Sequence, residues 1–176
     1  MPGRLDNAPY LSTGDPKTSV GATLFREGEL GHVYNAPNGY RWQLVKFEGT
    51  LTQAAVASNL VYWKDASTMS ATTDLTDSQG SRNTVAGVLH ASATMPTANQ
   101  YAWILQEGDS VTLNGTTVNF IAGGKIVASS TVGVVTVTAQ ATAAVDNPIG
   151  TVHTAVDRSG GAGTVVCDIN IPSRLY

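Results

Sequence analysis

The sequence predicts an all-β (mainly β) protein, a sandwich or barrel-like β-domain with an extended N-terminal arm and at most one short helix. Three observations point there. Short apolar runs rich in Val, Ile, Thr, Tyr and Trp recur at roughly 8–12-residue spacing with turn residues between them. Several of these runs alternate polar and apolar residues, the period of a half-buried strand. Only Leu51–Ser58, LTQAAVAS, has helical character, and it is short.

Residues 1–20 hold Pro2, Gly3, Pro9, Gly14 and Pro16 among polar residues. Proline fixes φ and removes a backbone donor, so this stretch is neither helix nor central strand. Tyr10-Leu11 gives it an apolar anchor, and it reads as a docked arm rather than a solvated tail. Residues 21–176 then read as a single β-rich domain, with two small β-lobes as the other division.

The domain begins with Ala22–Phe25, a turn at Glu27-Gly28 and a strand at Leu30–Tyr34. Ala36-Pro37-Asn38-Gly39 is a hairpin turn, because Asn-Gly accepts the positive φ such turns require. Tyr40–Phe47 alternates as a strand, and Trp42 reads as core, with an exposed sugar-stacking platform as the alternative. Asn59–Lys64, NLVYWK, is the next strand, followed by a long polar loop over Ala66–Arg82. Loops of that length are functional or carry short strands of their own.

Val85–Ala91 and Tyr101–Gln106 are strands joined by a loop containing Ser92, Thr94, Pro96, Thr97 and Asn99. Val111–Phe120 reads as a hairpin turning at Asn114-Gly115, with Gly108-Asp109-Ser110 a turn before it. Ile126–Ser129, Gly133–Ala139, Gly150–Ala155 and Thr164–Ile171 complete the strands. Their connections are Asp146-Asn147-Pro148 and the Gly-rich tip at Ser159–Gly163, and Pro172 ends the last strand. Gly87–Ala91, GVLHA, is echoed by GTVHTA at 150–155, but two copies do not make a solenoid, which needs about three.

Composition narrows the function. A chain of 176 residues buries a core without covalent help. Its one cysteine, Cys167, cannot form an internal bridge and reads as a small buried hydrophobe. Charged residues are 13%, about half the usual share of about 25%. Large protein contacts and an ordinary Thr-rich β-surface both account for that deficit. The net charge is −3 with no basic patch, so no nucleic-acid partner is expected. The N-terminus has no signal-peptide apolar core and no run reaches about 18 apolar residues, so no membrane partner is expected. The chain is expected to be made, and kept soluble, in a cytoplasm.

No catalytic motif survives inspection. His32, His90 and His153 sit in separate strand-like segments without close ligand spacing, and no metal or cofactor is expected. Gly108-Asp109-Ser110 resembles the nucleophile block of some lipases. It lies mid-chain, however, and Gly150 stands where those enzymes have aspartate before histidine, so Ser110 lacks a visible base. Gly123-Gly124-Lys125 lacks the spacing and the Ser/Thr of a phosphate loop. Asn114-Gly115-Thr116 matches a glycosylation acceptor, though the turn reading explains the same residues. The carboxylates Glu27/Glu29 and Asp74/Asp77 read as solvated loop residues. An enzyme is not expected.

Three stretches carry a family likeness: Leu60–Asp65 (LVYWKD), Arg82–Leu89 (RNTVAGVL) beyond a Thr/Asp/Ser loop, and Asn99–Gly108 (NQYAWILQEG). Their succession resembles small virion proteins of tailed bacteriophages, the capsid decoration or cement proteins that bridge capsomers outside the head. The likeness covers the middle third, loosely extends from Gly150 onward, and does not reach Leu5–Lys46. It implies a non-enzymatic β-rich protein on the outer capsid surface, made in the host cytoplasm. The implied partners are the major capsid protein and further copies of the chain, as trimer or dimer. Leu5, Tyr10 and Leu11 in the arm, with Leu175 and Tyr176 in the tail, are the expected interface residues. Two alternatives stand beside it: a host-surface or carbohydrate-binding virion module of head-fibre type, using Tyr40, Trp42 or Trp63, and a small hydrolase around Ser110.

Overall fold

Two runs, LVYW at 60–63 and YAWIL at 101–105, offer apolar side chains to both faces of a strand. Such strands need cover on both sides. The computed structural model, which describes residues 20–21, 30–76, 78, 85–137 and 148–171, supplies both covers. Among the described residues there are thirteen strands and no helix. In chain order they are β1 (Val20–Gly21), β2 (Val33–Asn35), β3 (Arg41–Phe47), β4 (Leu60–Asp65) and β5 (Ser70–Thr72). Then come β6 (Val85–Val88), β7 (Tyr101–Gly115), β8 (Asn119–Phe120) and β9 (Lys125–Ala128). The last four are β10 (Val135–Val137), β11 (Gly150–Thr154), β12 (Val156–Asp157) and β13 (Gly163–Asn170).

The strands close into a five-stranded barrel, β7–β6–β4–β5–β3 and back to β7. Most pairs are antiparallel; β3 and β5 run parallel, with Lys46 opposite Ser70 and Phe47 opposite Ala71. β1 adds to the barrel by pairing Val20 and Gly21 with Ala102 and Tyr101. Val45, Phe47, Val61, Trp63, Ala71, Ala86, Ala102 and Ile104 form one buried cluster to which every strand of the barrel contributes. Alternate residues point to opposite faces, so this cluster is the barrel interior.

β7 is long enough to serve twice. Its second half pairs with β13, and the path continues through β11, β9 and β10. A parallel contact of Val135 with Gly115 returns it to β7. This second ring places Val111, Leu113, Ile126, Val135, Val152, Val165 and Cys167 in a cluster with Trp42, Leu44, Leu60, Tyr62, Trp103 and Leu105. The latter are the outward residues of the first barrel, which is why its strands show no polar face. Full burial of side chains such as Leu44, Leu60 and Leu105 contributes about 1.5–3 kcal/mol each.

The barrel is the all-β architecture expected, and several local expectations change. Leu51–Ser58 is not helical. Eight residues cannot repay helix nucleation without a packed face, and here Ser58 takes a positive φ of 65° and its N–H donates to the Leu89 carbonyl. Asn114-Gly115 is not a turn but the end of β7. A Cβ on Gly115 would lie 2.8 Å from the Phe120 ring, so the glycine is needed for close packing. The chain reverses later, where Val118 N–H donates to the Thr116 carbonyl at 2.9 Å. Gly108–Ser110 is likewise no turn but an irregularity within β7, with the register slipping opposite Cys167/Ile169 and Ser110 at φ 56°. The hairpin at Ala36–Tyr40 forms as expected, with Gly39 at φ 83°. The long loop after Ala66 does carry a strand, β5, which completes the barrel.

Candidate functional site

The five expected interface residues, Leu5, Tyr10, Leu11, Leu175 and Tyr176, lie outside the described residues, as do Glu27, Glu29 and Asp77. Trp42, Trp63 and Trp103 are all buried, at 1%, 1% and 3% exposure. A stacking platform built on Trp42 or Trp63 is therefore excluded. Tyr40 is half-buried against Trp42 and His90, its ring 6.2 and 5.9 Å from theirs, and its hydroxyl donates to the Asp109 carbonyl.

The three histidines do not converge, and no group of His, Cys, Asp and Glu suited to a metal occurs among the described residues. His153 does acquire a partner. It lies on β11 next to β13, and its Nδ1 is 2.8 Å from Asp168 Oδ1. The same oxygen accepts the Ser110 backbone N–H at 2.9 Å. This bond, more than the imidazole, holds the Asp168 carboxyl below the usual carboxylate range. Serine, histidine and aspartate thus meet on an exposed face, which the sequence did not reveal. They do not form a charge-relay triad, because Ser110 reaches the carboxylate through its backbone and its hydroxyl makes no hydrogen bond to the imidazole. Cys167, next in the chain, is buried, and desolvation with the nearby Asp168 charge pushes its thiol up to about 12.

Other candidate motifs resolve into structure. The Asn114 amide donates to Ala57 O and Asn59 Oδ1 at 3.0 and 2.8 Å, so its nitrogen is engaged. Asp74 is buried rather than solvated: it accepts from the Thr52 hydroxyl at 2.7 Å and from Thr76 N–H at 2.8 Å. Gly123-Gly124 forms the turn into β9, with Gly123 N–H donating to the Val152 carbonyl.

A cleft of about 510 Å³ opens where β3 ends. Leu30 gives it apolar surface, and Lys46, Glu48, Ser70 and Asn99 give it polar groups. Alternation along β3 sends Lys46 and Glu48 to the same side. The Lys46 ammonium sits 5.5 Å from the Tyr101 ring centroid and makes no ion pair among the described residues. Glu48 Oε2 faces Lys64 Nζ at 3.5 Å, while Oε1 is buried without a hydrogen-bond partner. Two residues with left-handed backbone brace the rim. Asn99, at φ 59°, donates its N–H to the Glu48 carbonyl, and Met69, at φ 53°, accepts from Lys46 N–H. Asparagine tolerates that region, whereas methionine there carries strain of about 1–3 kcal/mol. No protein-family model and no curated protein matches the chain.

Proposed function

We propose that this protein is a structural virion protein that binds the outer surface of a phage capsid and stabilises it by bridging major capsid protein subunits, acting as a homo-oligomer. The carrying observation is where the likeness to decoration proteins falls. LVYWKD, RNTVAGVL and NQYAWILQEG supply β4, β6 and the first half of β7, three adjacent walls of the closed barrel. What resembles the family is thus a continuous part of the barrel wall, which supports a structural role. A charged fraction of 13% is consistent with broad protein contacts.

The test is addition of the protein to purified heads that lack it. Saturable binding at a fixed ratio to the major capsid protein, with a higher disruption temperature, supports the proposal. Loss of both on deletion of residues 1–20 assigns the clamp to the arm. Absence of binding to any head rejects it. The cleft at the end of β3 favours a second reading, a host-surface or carbohydrate-binding module of head-fibre type, and glycan binding without head binding would select it.

A further inference from the structure

We infer that Asn38 is a modification site, at which the side-chain amide is lost by intramolecular attack and an acidic residue takes its place. Asn38-Gly39 and Asn114-Gly115 are the two Asn-Gly steps in the chain, and the fold treats them in opposite ways. Asn38 and Gly39 are exposed at the tip that joins β2 to β3. Gly39, at φ +83°, has open space where a Cβ would stand, so nothing impedes approach to its nitrogen. Tyr40 N–H donates to Asn38 Oδ1 at 3.2 Å. That bond polarises the amide carbonyl and stabilises the oxyanion that attack creates. The Gly39 N–H is held by the Ala36 carbonyl at 3.0 Å, so attack needs only the opening of one exposed turn, a low-energy fluctuation. Asn114-Gly115 is locked instead. Asn114 N–H donates to the Ser58 carbonyl, its side-chain nitrogen donates to Ala57 and Asn59, and buried Gly115 pairs with Gly163 of β13 and Val135 of β10. Reaction there requires those strands to part.

The Gly39 nitrogen forms a bond to Asn38 Cγ and closes a five-membered succinimide, an intramolecular step favoured by proximity. The bond from Cγ to the side-chain nitrogen breaks, the Gly39 proton passes through water to that nitrogen, and ammonia leaves. Water then opens the ring. Its addition at Cγ gives aspartate; its addition at the main-chain carbonyl gives isoaspartate, which routes the backbone through the side-chain methylene. In sum, water is consumed and ammonia released, with no oxidation or reduction. Either product adds a negative charge to a chain whose net charge is −3. Isoaspartate also lengthens the turn in which Ala36 N–H donates to the Tyr40 carbonyl, beside the Tyr40 ring and its contacts with Trp42 and His90. The inference concerns the free protein and does not depend on attachment to a capsid, so the two can fail separately.

The experiment is incubation of the full chain in mildly alkaline buffer, with both sites followed by mass-spectrometric peptide mapping and the charge by ion-exchange chromatography. Asn38 should convert to a mixture of isoaspartate and aspartate, at least about tenfold faster than Asn114. A more acidic species should grow in step with that conversion. It should be lost in Asn38→Gln, whose longer side chain closes a larger ring more slowly. In urea, Asn114 should convert as well, at a rate approaching that of Asn38. An Asn38 that stays intact in the folded protein while it converts in urea, equal rates at the two sites in the folded protein, or an acidic species undiminished in Asn38→Gln would overturn the proposal.

Discussion

Gln106 and Gln43 meet inside the first barrel, the Gln106 amide donating to the Gln43 carbonyl oxygen and, at 3.1 Å, to the Ala86 carbonyl. Gln43 in turn donates to the Gly31 carbonyl at 3.3 Å. Both side chains are fully buried, so this is a polar tie between β3 and β7 and the segments beside them, set in an otherwise apolar interior.

Breaking that tie from one side should cost more than removing it whole. Gln106→Leu removes the donor to the buried Gln43 Oε1 and Ala86 carbonyl, an expected loss of about 1–3 kcal/mol. In Gln43→Leu/Gln106→Leu the mutual pair disappears with both partners, so the double variant should lose less than the sum of the singles. Urea denaturation of the four proteins measures this coupling, and strict additivity would show that the amides act independently.

Glycine replacements should separate close packing from backbone conformation. A Cβ on Gly150 would fall 2.1 Å from the Asp168 carbonyl oxygen, a backbone atom that cannot swing aside. Gly150→Ala should therefore prise β11 from β13 and cost well over 1 kcal/mol. Gly123, at φ +76°, has nothing within 4 Å of its Cβ position. Gly123→Ala should cost about 1 kcal/mol through conformation alone, and Gly123→Asn less. Thermal melts of the three variants give the ranking; equal losses at both sites would contradict it.

Cys167 should behave as a core residue. Its thiol is buried in the second ring and raised to about 12, leaving little thiolate at neutral pH. A disulfide reagent should leave it unmodified in the folded protein and titrate it fully in denaturant. Rapid native-state labelling would place it at the surface instead.

Strands such as Arg41–Phe47, Leu60–Asp65 and Gly163–Asn170 were legible because alternation and β-branched content are local signals. The barrel's closure was not. It depends on three-residue β5 pairing parallel with β3, and on β7 running through the Gly108–Ser110 irregularity to serve two rings. Asn114-Gly115 misled because the dipeptide that favours a tight turn also permits the close approach of Phe120. The His-bearing echo does not mark equivalent places, since β6 borders β7 whereas β11 is separated from it by β13. At the cleft, Lys46 and Glu48 could be placed on one side of a strand, but Ser70 and Asn99 join them only through tertiary pairing.

The cluster of Ser110, His153 and Asp168 should give no serine-hydrolase chemistry. A nucleophilic serine needs its hydroxyl bonded to the base that takes its proton, and Ser110 offers His153 no such bond. A fluorophosphonate probe should leave Ser110 unmodified, as read by mass spectrometry. Stoichiometric labelling that His153→Ala abolishes would establish a nucleophile and overturn the structural reading of this cluster.

Acid should weaken the fold through its aspartates. Asp65, Asp74, Asp157 and Asp168 all lie below the usual carboxylate range, held there chiefly by hydrogen bonds from Ser67, Thr52, Ser159 and the Ser110 N–H respectively. A carboxyl whose folded pKa is depressed binds fewer protons in the native state than in the unfolded chain, so stability rises with pH across that interval. The contribution is complete above the ordinary aspartate value of about 3.9 and is lost as pH falls through the depressed values. The urea midpoint should therefore hold steady from neutrality to about pH 5 and decline below it. Asp74→Asn and Asp168→Asn should each make that decline shallower, because each removes one group that gains a proton on unfolding. The outcome that contradicts this is a midpoint that climbs as pH drops below 4, or a slope identical in wild type and both variants.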